Sequence, residues 1–178
     1  MKKIIFLTAN GFEDEELIYP IIRLKEAGYE PIIATPNGLP AVGRLGYPAS
    51  RLVEFYASQS DIAYLQPADY DGVIIAGGFE APDRVRRIPQ ALSLIKTLHD
   101  EGKMVAAICH GPQVLISAGI LDGRRATCHP AIAIDLLNAG ALYEDAPAII
   151  DGSLITSRHP RDTAAFMVAV LRVLGGGI

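Results

Sequence analysis

Cys109 sits in Ala107-Ile108-Cys109-His110-Gly111-Pro112, between an apolar run and a glycine–proline pair. Small residues flanking a nucleophile in this way suit a tight strand-to-helix turn. The turn is crowded, and it lifts the nucleophile above the strand ends. Pro112 fits a first helical turn, where its missing N–H costs nothing. A helix start and nearby donors favour the thiolate, the reactive form of cysteine. The sequence therefore predicts a Cys109 pKa below the ordinary thiol value, and more reactivity at Cys109 than at Cys128. The plainer fate of a lone cysteine is a small core residue, but the turn layout argues for function. His110 is adjacent in sequence, which alone does not place its ring beside the sulfur.

Other residues could complete such a site. Gly77-Gly78 follows an apolar run, and a glycine pair at a strand end can aim backbone N–H groups at an oxyanion. A simple tight turn is the blander alternative. Glu13 follows the first apolar run, where a carboxylate reaches the ligand edge of an open α/β sheet. Asp14, Glu15 and Glu16 read as acids favouring the positive end of a first helix, and the residues alone leave Glu13 open between these roles. Cys128-His129 forms a second Cys-His pair, but the spacing matches no familiar zinc module, and no metal or cofactor is expected. His99 reads as solvated, and His159, before Pro160, as a loop residue facing the same sheet edge.

The elements that must hold these residues alternate between strand and helix. Apolar runs at 4–7, 31–35, 71–76 and 103–108 read as buried strands. Helical spacing recurs over 14–27, 89–101, 112–118, 131–138 and 162–174. Pro20 predicts that the first helix kinks or begins late. Residues 37–50 read as turns or a small hairpin, and 125–128 as a short strand. Asp151-Gly152 between apolar pairs signals a hairpin. The pattern predicts an α/β fold with a mainly parallel sheet between helical layers, and one domain over 1–178.

Composition narrows the partners. Half of the 178 residues are apolar, a fifth are charged, and the formal net charge is −4. That composition supports a core and leaves no electrostatic footprint for nucleic acid. The Lys2-Lys3 start precedes an apolar run too short for a signal peptide and followed by acids, so a first strand is the better reading. No apolar stretch approaches a membrane span. Two cysteines build no disulfide framework, and a cytoplasmic protein is the default expectation.

Several pieces together resemble the PfpI/ThiJ family of intracellular protease-like proteins, the superfamily of the parkinsonism-associated deglycase. They are 7–14 (LTANGFED), 16–20 (ELIYP), Gly77-Gly78, 107–113 (AICHGPQ), 116–119 (ISAG) and 156–158 (TSR). The resemblance implies a flavodoxin-like three-layer sandwich and a homo-oligomer built from dimers, with hexamers as a larger assembly. It implies Cys109 as nucleophile, His110 as its neighbouring histidine, and Glu13 as the acid bonded to the sulfur, sharing a proton with it. The amides of Gly78 and His110 would form the oxyanion hole. The family's third acid comes from a neighbouring subunit in an Arg-Ala-Pro-Glu segment. This chain has Phe79-Glu80-Ala81-Pro82-Asp83, one residue longer. Asp83 is the counterpart by context, approaching His110 of a partner chain, and Glu80 competes for the role.

The expected activity is that of a cysteine-dependent enzyme on a small carbonyl or peptide substrate, as a glyoxalase, deglycase or peptidase. The alternative is a redox-sensing stress protein or chaperone using the same cysteine. A sensor needs neither His110 nor an acid behind it.

Overall fold

The structure is a computed structural model describing residues 1–55 and 58–175. Its strands are β1 (Lys3–Leu7), β2 (Glu30–Thr35), β3 (Ser58–Asp61), β4 (Gly72–Ile75), β5 (Met104–Ile108), β6 (Arg125–Ala126), β7 (Leu142–Tyr143), β8 (Ala148–Asp151) and β9 (Leu154–Ser157). Its helices are α1 (Asp14–Glu26), α2 (Ser50–Phe55), α3 (Ala81–Val85), α4 (Pro89–Asp100), α5 (Pro112–Ala118), α6 (Ala133–Asn138) and α7 (Thr163–Leu174). A seven-stranded sheet runs in the order β3-β2-β1-β4-β5-β9-β8. Every pairing in it is parallel except that of β8 with β9, the hairpin turned by Asp151-Gly152. The fold is flavodoxin-like, as expected.

Val73, Ile74 and Ile75 of β4 and Val105, Ala106 and Ala107 of β5 are buried on both faces of the sheet. Such strands need continuous apolar runs, which is why these were legible. From β1 the chain steps through β2 to β3 in one direction. From β4 it steps through β5 in the other. Right-handed crossovers in opposite directions put α1 and α4 on opposite faces. Helix α7 packs with α1, and α4 with α5, completing the two helical layers. The reversal between β1 and β4 opens a crevice at their carboxyl ends, where α/β sheets of this kind bind ligands.

Four elements escaped the sequence reading, the two-residue strand β7 among them. Strand β3 reads Ser-Gln-Ser-Asp and lies at the sheet edge beside β2, with no apolar run to announce it. Helices α2 and α3 are only six and five residues long. Helix α1 does not begin late; it runs through Pro20, whose absent N–H leaves the Glu16 carbonyl without its usual intrahelical donor. Among the described residues, no helix is long and apolar enough to cross a membrane.

Phe166 of α7 is fully buried, whereas Ile134 of α6 is 60% exposed. Phe166→Ala should lower the unfolding free energy by about 3–5 kcal/mol. Ile134→Ala should change it by less than about 0.5 kcal/mol. Urea titration of both variants checks the assignment of core and surface.

Candidate active site

Three segments at the carboxyl edge of the sheet converge on Cys109. They are the 8–16 segment after β1, Gly77-Gly78 after β4, and the 109–111 turn after β5. Cys109 has φ of 63°, a left-handed conformation that a side chain rarely adopts. Hydrogen bonds hold it there: its N–H donates to Ser157 O at 3.0 Å, and its carbonyl accepts from His129 N–H at 2.9 Å. The Gly111 N–H closes the turn onto Ile108 O at 2.8 Å. The strand-to-helix elbow read from the sequence is therefore present, with β9 and the loop after β6 bracing it.

The glycine pair is required by crowding. A Cβ on Gly77 would lie 2.5 Å from Glu16 Oε2 and 2.6 Å from Cys109 Cβ. At Gly78, with φ of 94°, it would lie 2.8 Å from Glu13 N. The amides of Gly78 and His110 both hydrogen-bond the Cys109 sulfur and lower its pKa. This is the donor pair expected for an oxyanion hole.

The acid beside the sulfur is Glu16, which corrects the expectation for Glu13. Glu16 is fully buried, its Oε2 accepts the Gly77 N–H at 2.7 Å, its Oε1 has no hydrogen-bond partner among the described residues, and its carboxyl interacts with the Cys109 thiol. Glu13 is turned to Arg44 instead, with Nε to Oε2 at 2.8 Å and Nη2 to Oε1 at 3.1 Å. The helix explains the exchange. Asp14, Glu16, Leu17, Pro20, Ile21 and Leu24 are the buried residues of α1, and of its two acids Glu16 is the one that is fully buried. Glu13 precedes α1 and lies at its N-terminal rim. Asp14 is not a mere helix-end charge either. Its carboxylate accepts from Leu45 N–H at 2.8 Å and Tyr47 N–H at 3.1 Å, pinning the 42–47 loop that carries Arg44.

Burial pushes the Glu16 carboxyl up to about 8, against the opposing Gly77 hydrogen bond and with help from the Glu13 charge. Burial also pushes the Cys109 thiol up, with the Glu16 charge adding to it and the Gly78 and His110 amides opposing it. The expected depression of the thiol pKa is thus overturned. Cys109 is only 5% exposed, and desolvation outweighs the amides. Two anions in this pocket would repel at close range, so near neutral pH Glu16 carries a proton. Burial pushes Cys128 up as well, to about 12, and that thiol is fully buried.

His110 does reach the sulfur, with Nδ1 3.3 Å from Sγ. Its ring lies 5.0 Å from Phe79 at a 56° tilt and stacks on His129 at 4.6 Å. Burial lowers the His110 pKa and so does His129, while the Asp83 charge raises it. The net result is a neutral imidazole. The Asp83 charge of the same chain is among the groups that act on His110. Its carboxylate also lies 4.0 Å from Arg86 Nη1. Glu80 is engaged by Arg84 Nη2 at 2.8 Å. His129 was not expected here. Its Nδ1 accepts the Ala131 N–H at 3.2 Å, which leaves any ring proton of the neutral form on Nε2. His159 pairs with Asp162 at 3.1 Å, further out. Among the described residues, no three His, Cys, Asp or Glu side chains cluster as a metal site.

Known proteins agree with this architecture. A profile of the DJ-1/PfpI family matches residues 2–173. A deglycase of Pyrococcus horikoshii is 43% identical over 174 residues, covering 97% of this chain and 99% of its own. Protein/nucleic acid deglycase 2 of Escherichia coli is 38% identical over 176 residues, 98% of each chain. Among solved structures, a two-domain Anabaena variabilis protein containing DJ-1/ThiJ/PfpI-like and ferritin-like domains superposes with a TM-score of 0.89 at 38% identity. That match spans 99% of this chain and 49% of the other. By sequence and by fold, the chain belongs to the DJ-1/PfpI family.

Proposed function

We propose that the protein is a cysteine-dependent enzyme acting on small α-oxoaldehydes or their adducts, in the manner of a glyoxalase or deglycase. The observation that carries this is the Cys109 sulfur held between two amide N–H groups, a buried acid and a neutral imidazole. Its relatives named as deglycases support the same class of chemistry.

The groups have complementary tasks. As the sulfur attacks the aldehyde carbon, its proton passes to His110 Nδ1, and the Asp83 charge favours the imidazolium. A carbon–sulfur bond forms and the carbonyl π pair moves to oxygen. The Gly78 and His110 amides are aimed where that oxyanion develops. His110 returns the proton to oxygen, giving a hemithioacetal. For methylglyoxal, His110 then takes the hydrogen of the attacked carbon as a proton while Glu16 donates to the second carbonyl oxygen, giving an enediol; His110 returns its proton to the neighbouring carbon, and the hydroxyl proton of the first carbon passes back to Glu16 as the thioester forms. The thioester that results takes up one water and releases lactate and free thiol. No oxidant or reductant is required.

The buried sulfur favours a small substrate over a polypeptide. A scissile amide needs an open groove, and 5% exposure leaves no room for flanking residues. A purely redox-sensing role would leave His110 and Asp83 without a task.

Cys109→Ser should reduce lactate formation from methylglyoxal by at least about three orders of magnitude. Glu16→Gln should cost roughly 10²-fold in kcat, and Glu13→Gln less than about tenfold. A larger loss at Glu13 than at Glu16 would reverse the assignment of the acid.

The buried acid also has a stability signature. Its folded pKa of about 8 exceeds its ordinary 4.5, so folding favours the protonated form. That contribution is full below the unfolded pKa and is lost as pH rises through the folded one. Glu16→Gln should therefore gain stability relative to wild type as pH rises across this window. Urea midpoints for the two proteins, compared at the acid and alkaline ends, test it.

A further inference from the structure

His110 is not held by the sulfur alone. Its ring stacks on that of His129, from the loop after β6, with centroids 4.6 Å apart and 23° between the planes. Two hydrogen bonds anchor His129. Its N–H donates to Cys109 O at 2.9 Å, so its loop is braced on the nucleophile's own carbonyl. Its Nδ1 accepts the Ala131 N–H at 3.2 Å, capping the turn Pro130–Ile132. Phe79 also meets the His110 ring, at 5.0 Å, but it is tilted rather than stacked and is 68% exposed. The anchored neighbour is His129.

The stack bears on what His110 must do. Its Nδ1 lies 3.3 Å from the sulfur and receives the thiol proton. The torsion that turns an imidazole about its Cβ bond is broad and nearly two-fold, so a half-turn puts carbon where Nδ1 stands. Such a rotation swings the ring out of its plane, into the space of the His129 ring. A packed partner on that face therefore keeps nitrogen at the sulfur. The partner must also be uncharged. When His110 takes the proton, an imidazolium forms against the His129 face, which a neutral ring accommodates and a charged one repels. It is as a cation that His129 lowers the His110 pKa, against the Asp83 charge. Burial and the His159 charge keep His129 neutral, and the Ala131 N–H occupies its Nδ1 lone pair. His159 is itself paired with Asp162 at 3.1 Å.

Building on the glyoxalase-like reading, we infer that His129 is a positioning residue: its anchored, neutral ring keeps Nδ1 of His110 on the Cys109 sulfur through the proton transfer. His129 touches no reacting atom in this role. Its loss therefore slows the chemical step and leaves substrate binding alone.

Three variants separate the ring from the cap. His129→Ala removes both. His129→Asn keeps an acceptor for the Ala131 N–H without the ring, and His129→Phe keeps a ring without the acceptor; His129→Tyr replaces it where Phe does not fold. Methylglyoxal kinetics are read beside the rate of Cys109 alkylation by iodoacetamide at neutral pH, followed by mass spectrometry, with circular dichroism on each protein. In His129→Ala and His129→Asn, kcat should fall about tenfold with KM within about twofold of wild type. His129→Phe should recover most of that loss. Alkylation should fall by about fivefold and recover in the same order. Wild-type rates in His129→Asn, or no recovery in the folded ring-bearing variant, overturn the inference while leaving the enzyme reading intact. So does a loss carried by KM. If wild type turns over no dicarbonyl, the enzyme reading fails, and the alkylation series alone decides whether His129 positions His110.

Discussion

A carboxyl group buried against a thiol is an expensive arrangement, and the site is organised around it. Beside the Glu16 carboxyl stand the Gly77 N–H and the Cys109 thiol. One proton held on the acid removes most of the electrostatic cost and gives the pocket a donor. That requirement reaches into the surrounding backbone. The glycine pair must be glycine because Glu16 and Cys109 occupy the space a side chain would take. The 109–111 turn must hold a left-handed cysteine, which the end of β9 and the His129 amide secure. Strain of this kind persists only where the surroundings over-determine it.

Charge outside the pocket is handled by pairing. Glu13 with Arg44, and Asp14 with the amides of Leu45 and Tyr47, fix the 42–47 loop against the start of α1. Three consecutive kinds of role thus fall within four residues of sequence: a rim carboxylate paired with arginine, a loop anchor, and a buried acid. Neutral His110 reaches the sulfur and feels the Asp83 charge, with the Phe79 and His129 rings against its own. The arrangement lets a proton leave the thiol without creating a second buried anion.

Much of this was legible in the amino-acid order, and the gaps have physical reasons. Buried parallel strands announce themselves as apolar runs, so β1, β2, β4 and β5 were readable, while polar edge strand β3 was not. The elbow at Cys109 was readable because it needs small neighbours and a helix start. The acid was not, because position after a strand suggested Glu13, whereas burial is decided by helical phase. Counting back by four from Leu24 through Pro20 would have put Glu16 on the inner stripe. The thiol pKa was misjudged because a helix start is visible in sequence and desolvation is not. His129 and Arg44 arrive from distant loops, and no local spacing signals them.

The central claim is that Glu16 holds a proton beside Cys109 near neutral pH. Carbon-13 NMR of protein labelled at glutamate carboxyls reads that state directly, with the Glu16 resonance identified by its absence in Glu16→Gln. Titration should show the carboxyl protonated near neutral pH, with a midpoint near 8. A midpoint at the ordinary value of 4.5, with the acid ionised at neutral pH, would contradict the account.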